Sequence, residues 1–419
     1  MSVCERVLQV NVLAAESVAP SARSTTRLVV GVVIAGFCAF LGLYSTQPLL
    51  SLLREVFGAS EAAVSLTISA ATLAVALASP FVGLLADAAG RKRIMVPCLF
   101  VIAIATCMGA TAHSLHELVV WRFIAGLATP GVIAVLMAYI SEEAAPGTTG
   151  RIMAAYVTGS VVGGLTGRVA SGMAADYSNW RWSFIVTGGM TLVGAVVTTW
   201  LLPRSTHFRR CDDPLAPLRA MKGHIRNPQL LATYFAGFNA LFCHVGLFTY
   251  VNFYLANPPF SLSTAALGSV FLVYALGVVV TPLSGRMIDR LGHRAGAMIA
   301  AGTIAGGVLI TAIPHVALIV LGLGVASTGV FIAQAAAASH VGHVAKGSRS
   351  AATGLYVAVY YLGGSVGATA LSYPWKHGGW LAIVASLLVA QAISGTLAKR
   401  FFSRGHHEAQ PPDPAALGA

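Results

Sequence analysis

Twelve stretches of this chain run for about 20 residues with almost no charge, and that feature restricts its fold more than any other. They fall near 28–52, 63–86, 94–112, 117–140, 151–175, 182–203, 229–254, 265–288, 295–313, 315–339, 350–373 and 379–398. About 20 apolar residues in an α-helix cover the hydrocarbon thickness of a bilayer. The stretches are continuous and do not alternate apolar with polar residues, which favours helices over the strands of a membrane barrel. The fold class expected is therefore an all-α membrane protein with twelve transmembrane helices. Composition agrees: 10% of residues are charged, against about 25% in soluble domains. There is too little polar surface to clothe a water-soluble globule. The formal charge of +12 does not point to nucleic acid, because the basic residues lie in short clusters between apolar stretches and not along an aromatic-interleaved face.

The clusters set an orientation instead, since cytoplasmic loops of membrane proteins collect Lys and Arg. With both termini placed inside, the inner segments hold Arg91, Lys92 and Arg93, the basic residues of 204–226, then Arg286, Arg290 and Arg294, and finally Lys399, Arg400 and Arg404. The outer loops hold only Arg54, Arg181 and Lys376. Both termini are therefore expected in the cytoplasm, and the first apolar stretch reads as an uncleaved anchor. The longest polar connection falls near the middle of the chain and divides it into a tail (1–27), a six-helix bundle (28–203), a linker (204–228), a second six-helix bundle (229–400) and a tail (401–419). Most of the six cysteines lie in apolar stretches and none forms a CxxC pair, so buried thiols are expected and no metal site.

Internal repetition supports two related halves. Gly83, Asp87 and Gly90 recur as Gly285, Asp289 and Gly292, each 202 residues later, in the segments GLLADAAGRKRIM and GRMIDRLGHRAGAM. Arg91 and Lys92 follow the first copy, and Arg294 follows the second. A further match joins the fifth and eleventh stretches: Tyr156, Val157, Gly163, Gly164 and Gly167 recur 200 residues on as Tyr356, Val357, Gly363, Gly364 and Gly367. Gly159, Gly163 and Gly167 share one helix face, a smooth stripe that lets backbones approach closely.

These features together resemble the major facilitator superfamily. The segment Gly83-x-Leu85-x-Asp87-x-x-Gly90-Arg91-Lys92 is similar to that family's cytoplasmic loop signature between the second and third helices. Within the family the likeness is greatest to twelve-span drug:proton antiporters and arabinose-efflux-type permeases. Arg122-x-x-x-Gly126 looks like their fourth-helix signature, and Trp180-Arg181-Trp182 is familiar from the start of their sixth helix. Gly163-Gly164-x-x-Gly167-Arg168 resembles their fifth-helix motif but has Gly164 at the proline's place and Arg168 at the final glycine's. The resemblance implies two pseudo-symmetric six-helix bundles. It also implies a gating loop in which Asp87 faces the eleventh helix, Arg91 pairs with Glu142 or Glu143, and Gly83 allows close helix approach.

Arg122 and Arg168 are the charges placed well inside a span. A charge in hydrocarbon costs at least about 2.5–3.5 kcal/mol, so each should face a cavity or a partner. Arg122 is expected to point inward, toward an anionic group, a protonation site or backbone carbonyls. Arg168 lies nearer the outer face, where snorkelling is an option. Tyr44, Gln47, Asn239, His244, Tyr250, Asn252 and Gln334 are candidates to line a central cavity or to take part in coupling. None of the fourteen acids falls mid-span, which leaves His244 as the best titratable candidate. No nucleotide-binding loop, hydrolase motif or cofactor motif is present. The expected function is proton-coupled efflux of a small organic molecule across the bacterial inner membrane, by a monomer working through alternating access. The alternatives are uptake of a small solute, with anions among the candidates, a non-transporting membrane receptor, and a channel.

Overall fold

The structure is a computed structural model and describes residues 22–144, 147–203, 221, 223–345 and 349–402. Most of the expected tails and of the expected linker lies outside these residues.

The described chain is all helical. In order, the helices are α1 (Ala22–Leu41), α2 (Leu50–Phe57), α3 (Glu61–Ala89), α4 (Arg91–Gly109), α5 (Leu115–Ala128), α6 (Pro130–Glu143), α7 (Thr149–Tyr177) and α8 (Trp180–Leu201). After the central segment come α9 (Pro228–Ala256), α10 (Thr264–Val270), α11 (Leu276–Leu291), α12 (His293–Ile310), α13 (Val316–Val344), α14 (Arg349–Ala370) and α15 (Ser372–Phe401). Short polar residues start several of them: the side chains of Ser60, Ser114, Asn179, Asn227 and Ser263 accept hydrogen bonds from backbone N–H groups of the first turn. Such caps satisfy donors that a helix start leaves unpaired. Outward faces carry large apolar side chains, among them Phe81, Val193, Val279 and Leu381, each more than half exposed. A helix that is apolar inside and out belongs in lipid.

Among the described residues nine helical spans are long and apolar enough to cross a bilayer, counting Leu115–Glu143 and Thr264–Leu291 as continuous across their breaks. The remaining three of the expected twelve correspond to α1, α7 and α14. The described apolar part of α1 is short, covering Thr26–Leu41, and α7 and α14 carry glycine, tyrosine, serine and threonine where the others carry aliphatic residues.

Three expected spans are interrupted. The first stops at Leu41, turns through 42–46 and resumes as a 3-10 turn (Gln47–Leu49) followed by α2. The fourth breaks before Pro130, which lacks an N–H. The eighth tightens into a 3-10 segment, Phe271–Ala275, between α10 and α11.

The repeat seen in the sequence reappears as geometry. Gly90 and Gly292 both end one helix and begin the next with left-handed backbones, φ 98° and 84°, a conformation that glycine adopts without strain. A Cβ built on Gly163 would lie 2.2 Å from the carbonyl oxygen of Phe37, and one on Gly363 would lie 2.1 Å from that of Phe238. Gly167 meets Leu41 O and Gly367 meets Phe242 O in the same way, at 1.8 and 2.4 Å. In the reverse sense, Gly36 faces the ring of Tyr156, and Gly237 that of Tyr356. Thus α7 crosses α1 as α14 crosses α9, with glycines removing the side chains that would hold the backbones apart.

Candidate functional site

Between the interrupted first and eighth spans lies Arg168, on the unbroken helix α7. Its side chain is 3% exposed, so it neither reaches the outer surface nor snorkels. Nε donates to Gln47 Oε1 at 2.8 Å, and Nη1 donates to the Gly164 carbonyl at 2.6 Å. The guanidinium carbon sits 4.8 Å from the ring centre of Tyr44, 4.9 Å from that of Phe271 and 4.5 Å from that of Tyr274. At these distances a cation is drawn to the negative face of an aromatic ring. Tyr44 and Gln47 come from the turn that interrupts the first span, and Phe271 and Tyr274 from the 3-10 segment of the eighth. Backbone breaks of this kind mark binding sites in membrane transport proteins, because they aim side chains and polar groups into the interior.

Arg122 supports this arrangement from behind. Its guanidinium donates to the carbonyls of Gly42 (2.8 Å), Leu43 and Thr67 (3.3 Å). Where α1 ends, its last carbonyls have no helical partner, and Arg122 supplies donors to the turn that follows. Of the options open for Arg122 in the sequence, backbone carbonyls are its partners. Ser171 Oγ adds a bond to Ser45 O at 2.6 Å, and Ser45 Oγ donates to Gly42 O at 3.0 Å. The turn holding Tyr44 and Gln47 is therefore tied to α5, α3 and α7.

His244 on α9 joins the same cluster. Its ring lies 4.7 Å from that of Tyr274 and 5.3 Å from that of Phe248. The remaining cavity candidates lie elsewhere. Tyr250 donates to Ala368 O at 3.0 Å and packs on Phe253 and Trp375. Asn252 donates to Phe248 O one turn back on its own helix. Asn239 accepts from the Cys243 thiol at 3.6 Å and lines a cavity of about 10 Å³ with Gln391, room for one water at most. Gln334 is exposed. Gly126 packs on α3, where a Cβ would fall 2.3 Å from Ala71 O. Gly159 meets Val33 O in the α1 crossing, and Gly164 lies against the Arg168 guanidinium itself. Phe271 and Tyr274 are absent from the sequence candidates because the 3-10 segment that turns them inward holds neither glycine nor proline, and the flanking Gly268 and Gly277 do not by themselves mark a break.

At the Gly90 turn, Arg91 donates to Glu142 through Nη2 at 2.7 Å and through Nε at 3.1 Å. Lys92 Nζ reaches the last carbonyls of α8, Thr199 O at 2.8 Å and Leu202 O at 2.5 Å. A cation suits that end of a helix dipole. The side chain of Asp87 lies outside the described residues. In the second copy His293 replaces Arg91: its Nε2 lies 3.0 Å from Ser339 Oγ, with the His340 and His343 rings 5.2 and 5.5 Å away. A Cβ added at Gly83 or Gly285 would meet nothing within 4 Å, so in this conformation no helix crowds either one.

Helices from before and after the central segment touch far from that turn. Ser69 Oγ donates to Ser365 O and lies 2.8 Å from Ser365 Oγ. A Cβ on Gly172 would fall 2.6 Å from Thr264 O, and Gly268 packs on Arg168 O. Ser69 lies about 30 Å up α3 from Gly90 at 1.5 Å per residue. The contacts thus lie at the level of Arg168 and, through Gly172, one turn past it, away from the Gly90 turn.

A multi-pass helical membrane protein, with a cation enclosed by interrupted helices and a charged turn at one face, has the build of a transport protein. Residues 32–368 match the Major Facilitator Superfamily, and the chain belongs to that family. It is 33% identical over 370 residues to the uncharacterized MFS-type transporter YybF of Bacillus subtilis, covering 87% of this chain and 92% of the relative. It is 33% identical over 374 residues to the inner membrane transport protein YnfM of Escherichia coli, covering 88% and 90%. Among solved structures, a bacterial homolog of the human lysosomal transporter Spinster, in an inward-facing and unoccupied conformation, superposes with a TM-score of 0.73 at 16% identity, covering 92% of this chain and 98% of the other. The nucleoside transporter NupG superposes with a TM-score of 0.74 at 14% identity, covering 90% and 100%. These relatives are transporters, not enzymes, and the chain is a multi-pass membrane protein of the same kind.

Proposed function

We propose that the chain is a monomeric secondary active transporter of the bacterial inner membrane, with twelve transmembrane helices in two pseudo-symmetric bundles, 28–203 and 229–400, and both termini in the cytoplasm. The observation that carries this reading is the repeated packing of α7 on α1 and of α14 on α9 through equivalent glycines. Two copies of one packing unit are the bodies that rock about a central site in alternating access. On this topology the Gly90 and Gly292 turns face the cytoplasm, and the Ser69–Ser365 and Gly172–Gly268 contacts shut the outer face. The open space beside Gly83 and Gly285 then belongs to the inward-facing state, and closing the cytoplasmic side brings helices against those glycines. Asp87, Asp289 and Arg294 complete that closure together with the Arg91–Glu142 pair.

The transport step is export of a small organic molecule against proton entry, with His244 beside Arg168 as the group that feels both. A growth screen of cells with and without the protein against toxic compounds and metabolites supplies substrates. Flux of a hit is then followed in proteoliposomes under an imposed pH gradient. One pH unit across the membrane is worth about 1.4 kcal/mol per proton, about tenfold accumulation at one proton per substrate. Accumulation that follows the gradient with export polarity is the expected result, and flux indifferent to it removes the coupling. The lack of a mid-span carboxylate favours uptake as a second reading, which the opposite polarity would establish.

A further inference from the structure

We infer that the Arg168 cluster is a substrate site for organic anions, binding the carboxylate of a molecule whose apolar body packs on the rings of Tyr44, Phe271 and Tyr274. The inference rests on the transporter reading and adds the class of substrate.

Among the described residues no carboxylate lies within ion-pair distance of Arg168; its hydrogen-bond acceptors are a neutral amide and a backbone carbonyl. A buried charge is ordinarily paired, because leaving it alone in a low-dielectric interior is costly. The fold does not require this one. The equivalent crossing of α14 over α9 uses the same glycines, and 200 residues beyond Arg168 stands Ala368. The missing counter-charge belongs to something that enters the site.

Polar atoms around the guanidinium are left with hydrogen-bonding capacity unused. Gln47 turns Oε1 to Arg168, which leaves its Nε2 buried and unbonded. The Tyr274 hydroxyl lies against the guanidinium, where it can accept one of its N–H groups and keep its own hydrogen free to donate, and His244 Nδ1 is unpaired. A buried polar atom without a partner is costly, because it has given up its water without a replacement. Gln47 Nε2 can only donate, the Tyr274 hydroxyl donates readily, and the guanidinium offers its remaining N–H groups. An acceptor with two oxygens and a negative charge satisfies all three. An amine would be repelled, and a neutral amide would answer the donors without the charge.

The cluster lies just inside the closed contact of Gly172 with Thr264 and Gly268, and it draws on two of the three spans whose backbones are interrupted. A site that loads from one face and releases to the other needs side chains on elements that move between states.

The test uses the purified full-length protein and its thermal unfolding. Benzoate, phenylacetate and octanoate are compared with the amide and the amine on each carbon skeleton, with sodium chloride at equal ionic strength as the salt control. We expect at least one carboxylate to raise Tm in a concentration-dependent manner while its amide and amine do not. Arg168→Gln should weaken that response about tenfold to a hundredfold, the effect of losing a charge-assisted hydrogen-bonded pair. Arg168→Lys should retain part of it, since the charge survives without the planar fork. A response confined to amines or amides, no response to any carboxylate, or an Arg168→Gln protein that responds like the parent overturns the inference. If Arg168→Gln does not fold, the comparison among the three ligand series on the parent protein still decides. Carboxylate binding without flux would remove the transporter reading alone. Flux of neutral or cationic compounds with no carboxylate response would remove this inference alone.

Discussion

Gly167→Leu is expected to leave almost no folded protein in the membrane. A Cβ at that position would lie 1.8 Å from the Leu41 carbonyl oxygen, about half of a normal contact, and the atom it strikes is backbone. Neither side-chain rotation nor a small shift relieves such an overlap; α7 and α1 must separate along the whole crossing. Overpacking in a core costs about 1–3 kcal/mol when side chains can give way, and here they cannot, so a cost beyond about 4 kcal/mol is expected. Gly367→Leu should behave in the same way, because Gly367 meets Phe242 O in the second copy. Gly83→Leu is the control: its Cβ has open space, so the yield of folded protein should stay near that of the parent. Size-exclusion profiles and melting temperatures of the three variants check the prediction.

Arg122→Leu should give the second largest effect, of a different kind. Removing the guanidinium orphans the Leu43 carbonyl in a place water does not reach and takes one donor from Gly42 O and Thr67 O, which keep Ser45 and the α3 helix as partners. An orphaned acceptor costs roughly 1–3 kcal/mol, relieved in part if the 42–46 turn shifts. That turn presents Tyr44 and Gln47 to Arg168, so substrate affinity should fall together with stability, although Arg122 does not touch the site. Arg122→Lys should recover part of both, because an ammonium still donates but cannot span the diverging carbonyls. Thermal unfolding and ligand titration on the same samples measure the two effects. Loss of stability with unchanged affinity would mean that the turn does not depend on Arg122.

Much of this was legible in the residues, and what was hidden has physical reasons. Long charge-poor stretches dictate membrane helices because a bilayer offers no water to exposed backbone. The turn glycines could be read because only glycine adopts the left-handed backbone at Gly90 and Gly292 at no cost. The glycine stripe from Gly159 to Gly167 likewise announced a close crossing before its partner was known. Arg168 was harder. Its distance from the helix end allows either a side chain reaching outward or one turned inward, and only the crossing angles of α7 with its neighbours decide. The partners of Arg122 were invisible because backbone carbonyls carry no residue identity. The break in the first span has a local trace in Gly42 and Pro48, whereas the 3-10 segment at Phe271–Ala275 holds no glycine or proline and is only flanked by Gly268 and Gly277. Asn239 faces helices of its own half and Tyr250 is held by Ala368 O and the α3 residue Ser65, which a list of polar residues in apolar stretches cannot separate from residues that face the centre.

If two bundles rock about Arg168, contacts such as Ser69–Ser365 must part for transport to proceed. A pair of cysteines at these positions tests it most directly. Their hydroxyl oxygens are 2.8 Å apart, which brings the β-carbons near the spacing a disulfide needs. In a background with the six native cysteines replaced, oxidation of Ser69→Cys/Ser365→Cys should join the two positions without denaturation. Flux in proteoliposomes should then stop and return on reduction, while substrate binding from the cytoplasmic face survives the cross-link. Undiminished flux through quantitatively cross-linked protein would contradict the account.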